Sequence, residues 1–168
     1  MNSHHLRLMA KYRAWADKLT FDAVAALPAG EPSKERPTLF KSIMGTLNHN
    51  HVVDLIWRAH LEGRPHGFTA RNLVLYPHLA DLWAAQQKIN AWFVDWAQAQ
   101  SEPSFHELVR FTFISGEAGA MTRGEILLHV VNHATYHRGW VAEMFFDVPA
   151  KNPTTDLPVF LQEIAERG

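Results

Sequence analysis

The sequence lacks cysteine entirely among its 168 residues. This absence excludes disulfide bonds, thiolate metal ligands and a cysteine nucleophile, so any thiol chemistry must use a thiol that arrives with a substrate. No apolar run approaches the roughly 20 residues that span a bilayer, so we expect no membrane partner. The first seven residues lack the apolar core and the small-residue cleavage site of a secretory peptide, and we therefore expect a cytoplasmic location.

An excess of charge of either sign is also missing. The 16 Lys and Arg residues nearly balance the 17 Asp and Glu residues, and no block of basic residues interrupts the sequence. Because phosphate binding needs clustered positive charge, we expect no nucleic-acid partner. The hydrophobic share of 47% and the charged share of 20% are ordinary for a globular protein, and the length predicts a single domain over 1–168.

Apolar residues recur at spacings of three and four in several long segments, which is typical of amphipathic helices. The predicted long helices cover 4–27, 39–61, 78–99 and 123–146, and Thr122 and Glu125 form a capping-box pattern at the start of the last of them. A short helix is predicted from Asp156 to about Glu166. The stretch 107–121 predicts a small β-hairpin before the last long helix. These elements predict an all-α four-helix bundle, in which the long connection 62–77 could cross the bundle.

The last long helix carries three histidines four residues apart, His129, His133 and His137. An α-helix turns about 100° per residue, so each four-residue step rotates the side chain by only about 40° and the three imidazoles share one stripe. The same stripe is predicted to carry Ile126, Val130, Tyr136 and Trp140. Since unpaired buried polar groups are costly, imidazoles on an apolar stripe need either hydrogen-bond partners or a metal ion.

A further imidazole is expected from the second helix, where His49 and His51 stand two residues apart. They point about 160° away from each other, so they cannot both face the core. Thr46, Val53 and Ile56 lie closer to the His49 side. We therefore predict that His49 points inward and that His51 is exposed or lies at a subunit contact.

Other polar residues are predicted to have structural or solvent-exposed positions. For Asp54 and Glu125 an exposed charge or a helix cap is the favoured interpretation over a carboxylate ligand. Arg138 is predicted to be a surface residue or an anion-holding group at a pocket mouth. The remaining histidines in loops or near helix ends are predicted to be ordinary solvated residues: His60, His66, His78 and His106.

Two segments resemble signatures of the DinB/YfiT-like superfamily. The superfamily's second-helix signature is resembled by the segment Ser42-Ile-Met-Gly-Thr46-Leu-Asn-His49, which Trp57 follows eight residues later. The last-helix signature resembles Leu128-His129-Val-Val-Asn132-His133-Ala-Thr-Tyr-His137-Arg138-Gly139. Tyr12 and Trp15, and the tail segment Pro153-Thr-Thr-Asp156-Leu157, support the resemblance, which covers nearly the whole chain.

The resemblance implies a four-helix bundle with long crossover connectivity, often homodimeric, that holds a divalent metal. Matched by motif, the ligands are His49, His133 and His137. With no thiolate and few carboxylates, the donor set favours Zn²⁺, Ni²⁺, Fe²⁺ or Mn²⁺. His129 is left as a partner of a metal-bound imidazole, a general base or a core histidine. At the position of Trp140 the family frequently has Gln. A bulky ring therefore replaces a polar side chain about one helical turn from the expected ligands, which changes the expected substrate pocket more than the expected metal site.

Several functions are compatible with such a site. Relatives in the superfamily include transferases and isomerases that use low-molecular-weight thiols such as mycothiol or bacillithiol, so the first hypothesis is a metal-dependent S-transferase or related detoxification enzyme acting on a small molecule. A metal-dependent hydrolase is a variant of it. The alternatives are a non-enzymatic metal-binding stress-response protein and a purely structural dimerising bundle.

Overall fold

A computed structural model describes residues 2–148 and 150–166 and is mostly helical. The elements follow in the order α1 (Ser3–Ala25), α2 (Ile43–Leu61), α3 (Leu79–Ala99), β1 (Leu108–Thr112), β2 (Ala118–Thr122), α4 (Arg123–Met144) and α5 (Leu157–Glu166). The two strands form an antiparallel hairpin directly before α4, which confirms the predicted hairpin. Within the described part of the chain, no helix is long and apolar enough to cross a membrane.

Local chemistry sets the starts of the two helices that matter most for the site. The capping box at α4 is confirmed: the Glu125 amide donates to Thr122 Oγ1 at 3.2 Å, and the Thr122 amide donates to Glu125 Oε2 at 2.7 Å. The predicted start of α2 at 39 is wrong. The helix begins at Ile43, because the Ser42 hydroxyl accepts the Gly45 amide at 2.9 Å. A Cβ on Gly45 would lie 2.0 Å from the carbonyl oxygen of Phe40, so glycine lets the segment before α2 fold back across its first turn.

The four long helices pack against one another around two apolar clusters. Helix α1 contacts α3 and α4, and α2 also contacts α3 and α4. The larger cluster includes Phe93, Ile126 and Val130, and the smaller one includes Phe21 and Leu82. This packing places the inner faces of α2 and α4 next to each other.

A buried polar network connects the four long helices. Asp54 on α2 is only 1% exposed and pairs with Arg13 on α1. The side-chain amide of Gln86 on α3 donates to Asp54 at 2.9 Å, and the guanidinium of Arg138 on α4 lies 3.3 Å from Asp17. The predictions of an exposed or capping Asp54 and of a surface or pocket-mouth Arg138 are therefore wrong. Two guanidinium groups and two carboxylates compensate one another, which makes their burial tolerable.

Helix α2 is enclosed on all sides, and this overturns the predicted exposure of His51. None of its residues is exposed, and the imidazole of His51 lies 2.9 Å from the side-chain oxygen of Gln86. The connection 62–78 covers another face of the helix. The Asn48 side chain donates to the Tyr76 carbonyl at 2.9 Å and accepts the Tyr76 amide at 2.9 Å, so it fastens that connection to α2.

Candidate metal centre

Three imidazoles from two neighbouring helices converge at one point. His49 projects from α2, and His133 and His137 project from α4. One ring nitrogen of each lies within 4.8 Å of the corresponding nitrogens of the other two. Ring centroids are 5.1 Å apart for His49 and His133, 4.7 Å for His49 and His137, and 4.5 Å for His133 and His137. We call these three residues the histidine triad.

A backbone carbonyl orients the first member of the triad. Nδ1 of His49 lies 2.8 Å from the carbonyl oxygen of Arg71, in the connection between α2 and α3. A carbonyl oxygen only accepts, so Nδ1 carries the proton and Nε2 presents its lone pair. That lone pair faces His133, whose Nε2 is 3.2 Å away. Metal-bound imidazoles usually make such a hydrogen bond through their other nitrogen. Arg71 supplies the acceptor whose identity the sequence could not indicate.

The electrostatics of the triad favour neutral imidazoles, the form that binds metal. Burial chiefly, and then electrostatic repulsion from His137 and His49, lowers the pKa of His133 to about 2. Burial and the charge of His49 lower the pKa of His137 to about 4. Nδ1 of His137 is also buried without a hydrogen-bond partner in the described residues. Three neutral nitrogen donors at this spacing fit a divalent transition metal and leave further coordination positions for other ligands.

These pKa values predict that the metal-free protein loses stability in mild acid. An unfolded histidine takes up its proton near pH 6.5, whereas folded His133 does not do so until about pH 2. Between pH 7 and 5 the unfolded chain therefore binds more protons, and the free energy of unfolding falls by on the order of 2 kcal/mol through this group. Urea unfolding at pH 7, 6 and 5 measures the loss.

A His133→Asn variant isolates the contribution of that imidazole. Its free energy of unfolding should change less between pH 7 and 5 than that of the wild type. A His78→Asn variant, altered at an exposed histidine outside the triad, is the control for the replacement of a histidine by asparagine. An identical pH dependence in the wild type and in His133→Asn would contradict the account.

His129 lies beside the triad and outside it. Its ring centroid is 5.7 Å from that of His133 and 4.8 Å from that of Trp57. It is half-buried, and burial lowers its pKa. The group of three converging histidines does not include it. Its assignment as a partner of a ligand, a base or a core residue stays a prediction.

Aromatic and apolar side chains surround the triad and form two cavities. The ring of Phe40 stacks on His49 with centroids 4.1 Å apart, and Trp140 lies 5.0 Å from His137. We call the space beside Phe40 and Trp140 the outer cavity, of about 580 Å³. The space beside Trp57 and His129 is the inner cavity, of about 400 Å³. Both share a boundary formed by Arg71, Ile114 and His133.

Two predictions about exposure need correction. Tyr136 does not share the buried stripe, since it is 59% exposed. His60 and His66 are half-buried rather than solvated, with ring centroids 5.3 Å apart. Hydrophobic neighbours explain the burial of His60, whose ring centroid lies 5.0 Å from that of Phe111. His78 and His106 are exposed, as predicted.

The chain is similar to known proteins in sequence and in fold. A family model described as the DinB family matches residues 1–167. Protein DinB of Bacillus subtilis (strain 168) is 25% identical over 158 residues, which cover 90% of each chain. The crystal structure of a DinB-like protein from Bacillus cereus ATCC 10987 has a TM-score of 0.61 and 18% identity, covering 86% of this chain and 91% of that one. At that identity, the structural likeness concerns the fold alone.

Proposed function

The chain belongs to the DinB family, and on that premise we propose that it is a metal-dependent enzyme whose histidine triad holds a divalent transition metal. The ligands in this proposal are His49, His133 and His137, and the metal is Zn²⁺, Ni²⁺, Fe²⁺ or Mn²⁺. The observation that carries the proposal is the convergence of three imidazole nitrogens within 4.8 Å, with no carboxylate or thiolate in the group. Such a nitrogen-only set suits these ions better than Mg²⁺ or Ca²⁺.

The reaction we propose is transfer to or from a low-molecular-weight thiol, as in an S-transferase that acts on small molecules. A divalent metal held by the triad would supply Lewis acidity that favours a thiolate near neutral pH. The chain has no cysteine, so the thiol belongs to a cosubstrate. Arg71 holds the His49 ring through its carbonyl, and Phe40 covers one face of that ring. These contacts fix the donor geometry and keep water away from that side of the triad.

We propose one domain over 1–168, arranged as a four-helix bundle with long crossover connections and assembled as a cytoplasmic homodimer. Contacts of α1 with α3 and α4, and of α2 with the same two helices, support the bundle. Light scattering of the purified protein tests the dimer, because a mass of one chain across the concentration range would contradict it.

Thiol consumption by the metal-loaded protein tests the proposed transferase activity. We expect protein purified without an affinity tag and reconstituted with metal to consume bacillithiol in the presence of some member of a panel of small electrophiles. The rate should exceed that of the same concentration of free metal at least about tenfold, since a positioned nucleophile gains from orientation.

Two variants sharpen the assay. His133→Ala should reduce the rate to that of free metal, whereas His78→Ala, altered at an exposed histidine, should keep the wild-type rate. If the protein binds metal but turns over no electrophile faster than free metal does, the proposed transferase activity is wrong. The non-enzymatic metal-binding protein then becomes the better description.

A further inference from the structure

Arg71 occupies the junction of the two cavities beside the triad. It lines both the inner and the outer cavity. Its backbone is held in place, because its carbonyl oxygen accepts the hydrogen bond from His49 Nδ1 at 2.8 Å. The neighbouring part of the connection is fastened to α2 by the paired hydrogen bonds between Asn48 and Tyr76. The residue is therefore anchored by its main chain while its side chain remains exposed.

The guanidinium of Arg71 lacks an acidic partner in the described part of the chain. Nine other arginines and lysines of the described residues make ion pairs with carboxylates, among them Arg58 and Arg64. Its charge nevertheless reaches the triad. Burial chiefly lowers the pKa of His49, the hydrogen bond to the Arg71 carbonyl opposes this, and the Arg71 charge lowers the pKa further.

No negative charge compensates Arg71 along either cavity. The described residues that line the two spaces include no aspartate and no glutamate. The buried carboxylate of Asp54 also acts on His49, but it is already paired with Arg13. A bound divalent metal would add further positive charge. A cavity with fixed positive charge and low-dielectric walls attracts anionic ligands.

The walls of the cavities indicate the rest of the ligand. Apolar side chains such as Trp57, Phe113 and Ile114 make up half of the lining of the inner cavity, and polar residues make up the other half: His60, Arg71, Ser115, His129 and His133. Its volume of about 400 Å³ suits a small organic molecule. Large apolar side chains here offer contact area to a ring or an alkyl chain. The combination of one unpaired guanidinium and the apolar half of the inner cavity matches a ligand with a charged end and an apolar body.

We propose that Arg71 binds the carboxylate of an organic acid whose apolar body lies in the inner cavity next to the triad. A guanidinium matches a carboxylate through two parallel hydrogen bonds, which makes arginine suited to this recognition. As a statement about the substrate, the inference rests on the proposed function. As a statement about binding, it depends only on Arg71 and the cavity, so it holds for the metal-free protein too.

A matched pair of probes tests the proposal. Phenylacetate and phenylacetamide have nearly the same shape and differ in charge. Their dissociation constants are measured by calorimetry and by quenching of tryptophan fluorescence, since Trp57 and Trp140 line the two cavities. We expect the wild type, with and without zinc, to bind phenylacetate about tenfold more tightly than phenylacetamide.

Arg71→Gln and a control variant identify the source of this preference. Arg71→Gln should bring the two dissociation constants within about twofold of each other. The change should come mainly from weaker binding of phenylacetate, because the substitution removes only the charged hydrogen bonds. Arg110→Gln removes an exposed cation on β1 outside both cavities and should keep the wild-type preference. An unchanged preference in Arg71→Gln, an equal loss in Arg110→Gln, or no binding of phenylacetate to the wild type overturns the proposal.

Metal analysis of the same samples separates this inference from the proposed function. Arg71 contacts His49 through its backbone, so Arg71→Gln should bind as much zinc as the wild type. Failure of the wild type to bind any of the four proposed ions would reject the metalloenzyme, yet the metal-free probe titrations would still decide the role of Arg71. Normal zinc binding with no Arg71-dependent preference would reject only the carboxylate site.

Discussion

Replacing Asp54 by alanine is expected to lower the free energy of unfolding by about 3–5 kcal/mol. The substitution leaves the guanidinium of Arg13, whose side chain is only 2% exposed, without its nearest carboxylate. It also removes the acceptor of the hydrogen bond from Gln86. Arg13 would then share Asp17, 3.5 Å away, with Arg138, so one buried positive charge would remain uncompensated, which is far more costly than the intact network. Urea unfolding at neutral pH, followed by circular dichroism, measures the change.

Two comparison variants separate this cost from an ordinary loss of charge. Asp22→Ala breaks an exposed pair with Lys18, and we expect it to cost less than about 1 kcal/mol. Asp54→Asn retains an acceptor for Gln86 and should lie between the other two. A cost for Asp54→Ala no greater than that for Asp22→Ala would show that the network contributes little to stability.

The second large effect concerns metal affinity. Replacing His49 by asparagine is expected to weaken zinc binding by at least about 100-fold, because loss of a ligand should exceed the 10–100-fold effect of losing a ligand's hydrogen-bond partner. Competition with a chromogenic chelator measures the dissociation constant. The variant leaves both triad histidines of α4 in place, so any remaining affinity reports the contribution of His133 and His137.

His51→Asn is the matched control for this experiment. His51 lies two residues from His49 in the same buried helix, and its hydrogen bond goes to Gln86 rather than to the triad. Its replacement should lower stability while zinc affinity stays within about threefold of the wild type. Equal losses of affinity in His49→Asn and His51→Asn would mean that the ion is not held by His49.

The parts of the fold that follow from local chemistry were predictable. The capping box of Thr122 and Glu125 depends on a four-residue pattern, and the alignment of His133 with His137 follows from helix geometry alone. The inward direction of His49 was also predicted, from the apolar residues on its side of α2. The structure confirms that these three imidazoles converge. Their binding of a metal stays a prediction.

The errors in α2 have one physical cause. A prediction from hydrophobic periodicity assumes that one face of a helix is exposed to solvent. Helix α2 is covered on every face, in part by the connection that is hydrogen-bonded to it at Tyr76. Polar residues then no longer mark an exposed side. His51 and Asp54 were therefore misassigned, although each has a buried partner that accounts for its position.

Contacts between distant segments were beyond the reach of the sequence patterns. Arg138 meets Asp17 across 121 positions of the chain, and neither residue carries a local signal for the other. Arg71 lies in a connection without periodicity, where nothing predicts that its carbonyl orients His49. This contact depends on how the connection folds over α2, which no local pattern in the sequence encodes.

The most direct test of the central claim is the metal content of protein purified without an affinity tag, measured by mass spectrometry beside His133→Ala. The triad predicts about one divalent transition-metal ion per chain in the wild type and much less in the variant. Equal and negligible metal in both samples, after incubation with zinc and removal of the free ion, would contradict the claim that the two helices hold a metal between them.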